Sequence, residues 1–348
     1  MFLIRADGNA TIGAGHLMRC LTIADELRRY ADSRAVLFVC ADRQSAELAE
    51  SRGYQTFVLG SEPQDMEAEL SAWSRIPGIH QNTNVILVDS YFVTEHYLRT
   101  VGKYGAVTLL DDMGEECFPV DRVINYNAFA DRKRYECLYR DSDTELILGS
   151  AYVPLRPQFR EKTCVIRERA ENILITTGGG DVNNIAGQIW KAMRRKEDEK
   201  VRKQLCYHLV IGSFNPHLEE MKALEKQSAN IRIHHNVQDM AELMSRCDLA
   251  VTAGGSTVYE LAAVGVPFIC FSYAENQEKM TEYLHREKIA FSAGAYHRDP
   301  EEVLERIAEQ AIALVQDHKS RGMCYIRERE LADGLGAERL ARLLAASR

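Results

Sequence analysis

Short apolar runs alternate along the chain with stretches whose apolar residues recur every three or four positions. This is the pattern of parallel sheets covered by helices. In the first half the runs are 2–6, 35–41, 56–59, 85–89, 106–111, 122–125 and 145–148, and helical spacing lies between most of them, as over 16–30 and 64–75. The runs are near-continuous in apolar residues, as strands covered on both faces are. A second series follows at 172–176, 207–211, 231–234, 249–252 and 267–273. Between the two, the segment 151–170 carries Pro154, Pro157 and a charged run, which places the domain link there. The expected division is a Rossmann-like domain over 1–156, a second over 157–332, and a terminal helix over 333–348. That helix has Asp333 as its N-cap and leucines at 335, 340, 343 and 344. It either completes the second domain or crosses back to the first. The fold class is α/β, two doubly wound domains facing each other across a cleft, with ligands outside the carboxyl ends of the strands.

Length agrees, since 348 residues at roughly 150 per domain give two domains. The balance of 43 basic against 51 acidic residues, net −8, argues against nucleic acid or an anionic membrane surface as a partner. No apolar run approaches the roughly 18–20 residues of a membrane span, and the first residues acquire charge at once. A cytoplasmic protein without membrane insertion, monomeric or weakly homo-oligomeric, is expected. The nine cysteines are dispersed, with no Cys-x-x-Cys pair and no alternation with histidine at zinc spacing. They read as buried, reduced thiols, and no metal or cofactor is called for. The His234-His235 pair ends a strand without a ligand partner at useful spacing.

Three kinds of strand-to-helix loop carry candidate chemistry. The first is Asp7-Gly8-Asn9-Ala10-Thr11-Ile12-Gly13-Ala14-Gly15-His16. Its glycines let a ligand approach the backbone, and His16, at the positive end of a helix, is placed to act as a general base if held neutral. The dinucleotide-binding fingerprint is absent. The second kind occurs twice, as Thr176-Thr177-Gly178-Gly179-Gly180-Asp181 and Thr252-Ala253-Gly254-Gly255-Ser256-Thr257. Two such loops suit a diphosphate, and Glu260, one turn into the helix after Ser256, is placed to accept hydrogen bonds from ribose hydroxyls. The third, Ser272-Tyr273-Ala274-Glu275-Asn276-Gln277, offers amides suited to sugar hydroxyls and acetamido groups. Together they describe a nucleotide-sugar site. No Walker-type Gly-Lys-Ser/Thr and no Gly-x-Ser-x-Gly elbow occurs.

The string Arg5-Ala6-Asp7…Ile12-Gly13-Ala14-Gly15-His16-Leu17-Met18-Arg19 resembles the N-terminal motif of the UDP-sugar hydrolases of the pseudaminic acid pathway. Those enzymes cleave UDP-2,4-diacetamido-2,4,6-trideoxy-β-L-altropyranose to UDP and free sugar. The likeness continues through Val88-Asp89-Ser90-Tyr91, Leu110-Asp111-Asp112, Ile124-Asn125-Tyr126-Asn127-Ala128, Leu148-Gly149-Ser150-Ala151-Tyr152-Val153-Pro154-Leu155-Arg156, Gly178-Gly179-Gly180-Asp181, Gly254-Gly255-Ser256 with Glu260, and Asn276-Gln277-Glu278. Ser90 stands where the family commonly carries a histidine, and the chain runs some 50 residues beyond the last motif. Longer relatives serve spore-coat and other surface polysaccharides. The resemblance implies a GT-B fold and metal-independent attack of water at the anomeric carbon with inversion. It assigns His16 as the base, with Tyr91 and Asn276 in the sugar pocket. Asp7, Gly13, Gly15, Gly178, Gly179, Gly180, Gly254, Gly255, Ser256, Glu260 and Gln277 would bind the UDP-sugar. The glycine loops are shared with GT-B glycosyltransferases, so transfer from a UDP-sugar to a glycan or lipid acceptor is the alternative. A hydrolysing UDP-sugar 2-epimerase shares the architecture, but the acids and histidines of its site find no match here.

Overall fold

The computed structural model describes residues 1–9, 12–30, 35–80, 84–212 and 215–346. Ala10 and Thr11 of the first candidate loop, and residues 347–348 of the terminal segment, lie outside them. The chain divides into two compact units: Met1–Arg156 together with Leu335 onward, and Pro157–Gly334.

The first unit holds seven parallel strands: β1 (Phe2–Ala6), β2 (Val36–Cys40), β3 (Gln55–Val58), β4 (Val85–Asp89), β5 (Ala106–Leu110), β6 (Arg122–Asn125) and β7 (Glu145–Leu148). Their order is β3-β2-β1-β4-β5-β6-β7. Chain order reverses between β1 and β4, which pair in register from Phe2 opposite Val85 to Ala6 opposite Asp89. Such a reversal opens a crevice beyond the strand ends, because the loops leaving the two strands run to opposite faces of the sheet.

On one face of this sheet the helix Gly15–Leu27 buries Leu17, Leu21, Ile23, Ala24 and Leu27. The helix Gly336–Ala346 adds Leu340, Ala341 and Leu344 to the same core. Each buried leucine contributes about 1.5–3 kcal/mol. Gly336 is required there, since a Cβ would lie 2.1 Å from the Val153 carbonyl oxygen. The helix starts at Gly336, so Leu335, whose carbonyl accepts from Arg339 N–H at 3.0 Å, holds the capping position in place of Asp333. The positive φ of Gly334 (77°) turns the chain just before it.

Packing on the opposite face centres on Trp73, Tyr97, Leu98 and Val101. The helix expected over 64–75 is reduced to turns followed by Leu70–Trp73. The reason is Glu69, turned inward to accept from Arg5 Nε (2.8 Å), Arg5 Nη2 (2.7 Å) and Tyr97 Oη (2.6 Å). Arg5 is wholly buried in the middle of the sheet, and pairing it outweighs a few turns of helix propensity.

The second unit holds β8 (Asn172–Thr176), β9 (Cys206–Ile211), β10 (Ile231–His235), β11 (Leu249–Ala253), β12 (Phe268–Ser272) and β13 (Phe291–Ala295), all parallel. Their order, β10-β9-β8-β11-β12-β13, reverses between β8 and β11. One hydrophobic core, including Ile173, Ile175, Leu209, Val251, Ile269 and Phe271, lies under the helices Ile185–Lys196 and Pro300–Gln316. All nine cysteines are free thiols. Six are buried, Cys206 is half-buried, and Cys117 and Cys137 are exposed, against the expectation of burial for all.

Candidate active site

The reversal point of the first sheet gathers the first unit's candidate residues. The loop after β1 delivers His16 as the second residue of the helix Gly15–Leu27, and Asp89 is the last residue of β4. The loop is shaped by Asn9, whose carbonyl accepts from Gly13 N–H (2.9 Å) and whose Oδ1 accepts from Ile12 N–H (3.0 Å). Gly13 has φ 79°, a conformation that favours glycine. Around Gly15 the space where a Cβ would sit is open. Asp7 lines the floor, but its oxygens are committed: Oδ1 accepts from Ala41 N–H (2.7 Å) and Oδ2 pairs with Arg5.

Nδ1 of His16 lies 2.6 Å from Asp89 Oδ1. Two lone pairs cannot meet at that distance, so the carboxylate must accept from Nδ1–H. In the neutral ring Nε2 is then the nitrogen without a proton, and no described residue bonds it. Arg19, one helical turn after His16, forks across Asp89, with Nε 2.6 Å from Oδ2 and Nη2 2.6 Å from Oδ1. Its remaining nitrogen, Nη1, donates to Asp112 Oδ2 (2.7 Å) and Tyr126 Oη (2.6 Å). Burial alone would raise the Asp89 pKa. The Arg19 charge and hydrogen bonds outweigh it, with His16 adding to them, and hold the carboxyl well below its usual range. Asp89 is therefore an anion at every physiological pH.

Tyr91 packs edge-on to the imidazole, ring centroids 4.5 Å apart, and donates to Asp112 Oδ2 at 3.1 Å. Burial, then the Asp112 charge, push its phenol up to about 12, so it is a donor and not a base. A cavity of about 170 Å³ opens here, lined by Asp7, Ile12, His16, Asp89, Ser90, Tyr91 and Phe92. Tyr91 and Phe92 are large and exposed at its edge.

In the second unit, the loops after β8 and β11 leave the carboxyl ends of the two strands that flank the reversal point, and the loop after β12 leaves the strand beside β11. The two glycine loops differ. After β8, the helix Ile185–Lys196 is capped from within the chain: Asp181 accepts from Ile185 N–H (2.6 Å) and Ala186 N–H (3.0 Å), and Asn184 Oδ1 accepts from Gly187 N–H (3.2 Å). Gly178 (φ 96°) and Gly179 are exposed, and Gly179 is backed by Gly212, where a Cβ would stand 2.3 Å from the Gly179 carbonyl oxygen. After β11, no side chain caps the helix Thr257–Val264 at Ser256. The Ser256 and Thr257 N–H groups have no partner among the described residues, so this helix start presents open donors and a positive dipole end. Glu260 lies in its first turn.

The loop after β12 packs on this one. Gln277 Oε1 accepts from Tyr273 N–H at 2.9 Å, and its Nε2 lies 3.7 Å from the Cβ position of Gly255. Asn276 is exposed and bonded to no described residue. The first unit thus carries Asp7, Gly13, Gly15, His16 and Tyr91. The second carries Gly178, Gly179, Gly180, Gly254, Gly255, Ser256, Glu260, Asn276 and Gln277. Sequence reading assigned no role to Arg19, Asp181 or Gly212. The spacing of Arg19 from His16, one helical turn, was the available signal for the first.

Two doubly wound parallel sheets, each with its loops gathered at a reversal point, make the GT-B fold of nucleotide-sugar glycosyltransferases. MurG of Acinetobacter baumannii has this fold with a TM-score of 0.65 at 16% identity, covering 99% of this chain and 98% of that one. Residues 172–323 match the glycosyltransferase family 28 C-terminal domain. Over the whole chain, the spore coat polysaccharide biosynthesis protein SpsG of Bacillus subtilis is 24% identical, covering 98% of this chain and 96% of its own. The UDP-2,4-diacetamido-2,4,6-trideoxy-beta-L-altropyranose hydrolase of Campylobacter jejuni is 25% identical, covering 81% and 95%. An uncharacterised protein of Methanocaldococcus jannaschii is 24% identical over 294 residues, and the chain spans 58% of its length.

Proposed function

We propose that the chain is an enzyme of nucleotide-sugar metabolism that hydrolyses a UDP-linked diacetamido-trideoxy sugar to UDP and free sugar, serving surface-polysaccharide or nonulosonic acid biosynthesis. The observation that carries this reading is the His16–Asp89 pair opening onto the cavity beside Tyr91. The likeness to the Campylobacter jejuni hydrolase over 95% of that enzyme's length supports the substrate class and the choice of uracil.

In the reaction, water bonded to His16 Nε2 attacks the anomeric carbon from the face opposite the nucleotide. The proton of water passes to Nε2, and Asp89 stabilises the imidazolium that results. The C1–O bond breaks with its electron pair going to UDP, and the single displacement inverts the anomeric configuration. The charge developing on the diphosphate is met by the free amides of Ser256 and Thr257 and the helix dipole behind them. Glu260 takes the ribose hydroxyls, and Asn276, with its uncommitted amide, takes the sugar. Gly178, Gly179 and Gly180 contribute open backbone surface; the donors of the helix they lead into are used by Asp181 and Asn184. The step draws on no metal ion.

Transfer to a glycan or lipid acceptor is the second reading, favoured by the family 28 match over 172–323. The test is UDP release from the UDP-linked diacetamido-trideoxy-altrose with EDTA present and no acceptor, wild type against His16→Ala. A loss of about 10²–10⁴-fold in the variant is expected. Release that needs an added acceptor would favour the transferase, and release unchanged in His16→Ala would refute His16 as base.

A further inference from the structure

We infer that Arg19 is a positioning residue: its guanidinium, forked across both oxygens of Asp89 and tied on its far side to Asp112 and Tyr126, locks the carboxylate in the orientation that sets the His16 imidazole. This rests on the reading of His16 as the base.

Asp89 holds His16 through one oxygen only, and a carboxylate at a strand end turns easily about its last torsion. What fixes it is the pair of 2.6 Å bonds from Arg19 Nε and Nη2. Among the described residues the only other donor on Asp89 is the Cys20 thiol at 3.4 Å, a weak one. The fork is in turn braced from outside the helix by Asp112 (2.7 Å) and Tyr126 (2.6 Å), each delivered by a different strand-end loop. Tyr91, Tyr126 and Asn127 crowd around the Asp112–Arg19 pair. Arg19 Nη2 also stands 3.1 Å from His16 Nδ1. It only donates, so it does not compete with Asp89 Oδ1 for the Nδ1 proton.

Charge adds a second consequence. Asp89 and Asp112 carry two negative charges against the single positive charge of Arg19, so the cluster lacks one cation. The proton that His16 takes from water in the proposed reaction supplies it. Asp112 therefore supports the imidazolium through Arg19, without touching His16 in the bonds described.

Lysine at position 19 would keep the charge and lose the fork, because an ammonium cannot span both Asp89 oxygens and still reach Asp112 and Tyr126. For Arg19→Lys we expect kcat down about 100-fold, the scale of a misplacement of about 1 Å in a reacting group, with KM within about twofold. Asp112→Asn leaves the Arg19–Asp89 fork in place and relaxes its brace, so a smaller fall in kcat is expected. It serves as the second variant should Arg19→Lys fold poorly. The independent readout is the ¹⁵N spectrum of the His16 ring without substrate. Wild type should show one tautomer, protonated at Nδ1, and the variants should show tautomers in exchange. A rise in KM alone, wild-type kcat, or an unchanged ring spectrum would overturn the inference. Should the wild type release no UDP from any sugar nucleotide, the proposed function fails, while the ring spectrum still decides the role of Arg19.

Discussion

Replacing Asp89 by asparagine changes one oxygen to an amide and leaves the volume alone, so its effect reads the electrostatics of the site. In the native chain every donor facing this side chain has an acceptor: His16 Nδ1–H and Arg19 Nη2–H at Oδ1, Arg19 Nε–H and the Cys20 thiol at Oδ2. Asparagine must aim its NH₂ at one of these sides. Aimed at Oδ2, it strands Arg19 Nε–H against another donor. Aimed at Oδ1, it lets the imidazole accept at Nδ1, which moves the proton to Nε2 and removes the basic nitrogen from the cavity. Either way a buried charge pair loses its anion, with Asp89 wholly buried and Arg19 13% exposed. Breaking such a pair costs about 3–5 kcal/mol. Urea titration of Asp89→Asn should show a loss of that size. UDP release should fall about 10²–10⁴-fold in kcat with KM little changed, the signature of a misassigned tautomer. Wild-type turnover in a variant that is measurably less stable would refute the role given to Asp89.

Gly254 admits no side chain, since a Cβ would lie 2.6 Å from Thr281 Cγ2, and Thr281 is held by Ser272 Oγ at 2.7 Å. Gly254→Ala should cost about 1–3 kcal/mol and weaken UDP binding in calorimetry, and Thr281→Ser in the same chain should restore much of it. Wild-type affinity in Gly254→Ala would show that this loop does not hold the nucleotide. His208 Nδ1 faces His234 Nε2 at 2.9 Å while its Nε2 faces Asn172 Oδ1 at 3.2 Å, with Arg232 and Glu225 the charged neighbours. Burial first, then His234 and Arg232, push it down to about 4. The unfolded chain takes up that proton near pH 6.5, so stability is full above that pH and falls as pH drops toward 4. About 2 kcal/mol of loss is expected after allowance for partial exposure. His208→Gln should flatten the decline of urea midpoint between pH 7 and 5, and an unchanged slope would refute it.

The strands were legible where sequence physics is simplest. Double-sided burial makes runs such as 85–88 and 249–251 apolar throughout, and both lie in fully buried strands. β13, Phe291–Ala295, escaped because Phe-Ser-Ala-Gly-Ala is an edge strand with a glycine at φ 104° and no continuous apolar character. The 64–75 helix failed for the opposite reason: its spacing was good, but Glu69 had a buried arginine to meet, 64 residues away in the chain. The histidine loop and the glycine loops could be found from residue types and their place after strands. What separated the two glycine loops could not, since self-capping by Asp181 depends on a local backbone turn with φ 32° at that residue. Likewise Asp112 and Tyr126 reach Arg19 across 93 and 107 residues of sequence, a convergence that only the strand order creates.

The helix Gly336–Ala346 follows the second unit in sequence and belongs to the core of the first. The first seven strands therefore leave the ribosome with one patch of their core uncovered, Leu17, Leu21 and Ala24 among its neighbours. They keep it so while the whole second unit is made. The core of the first unit thus stays open until the segment that follows the second unit has been made. A chain cut short anywhere before Leu340 carries an exposed apolar face, whatever the state of its second unit.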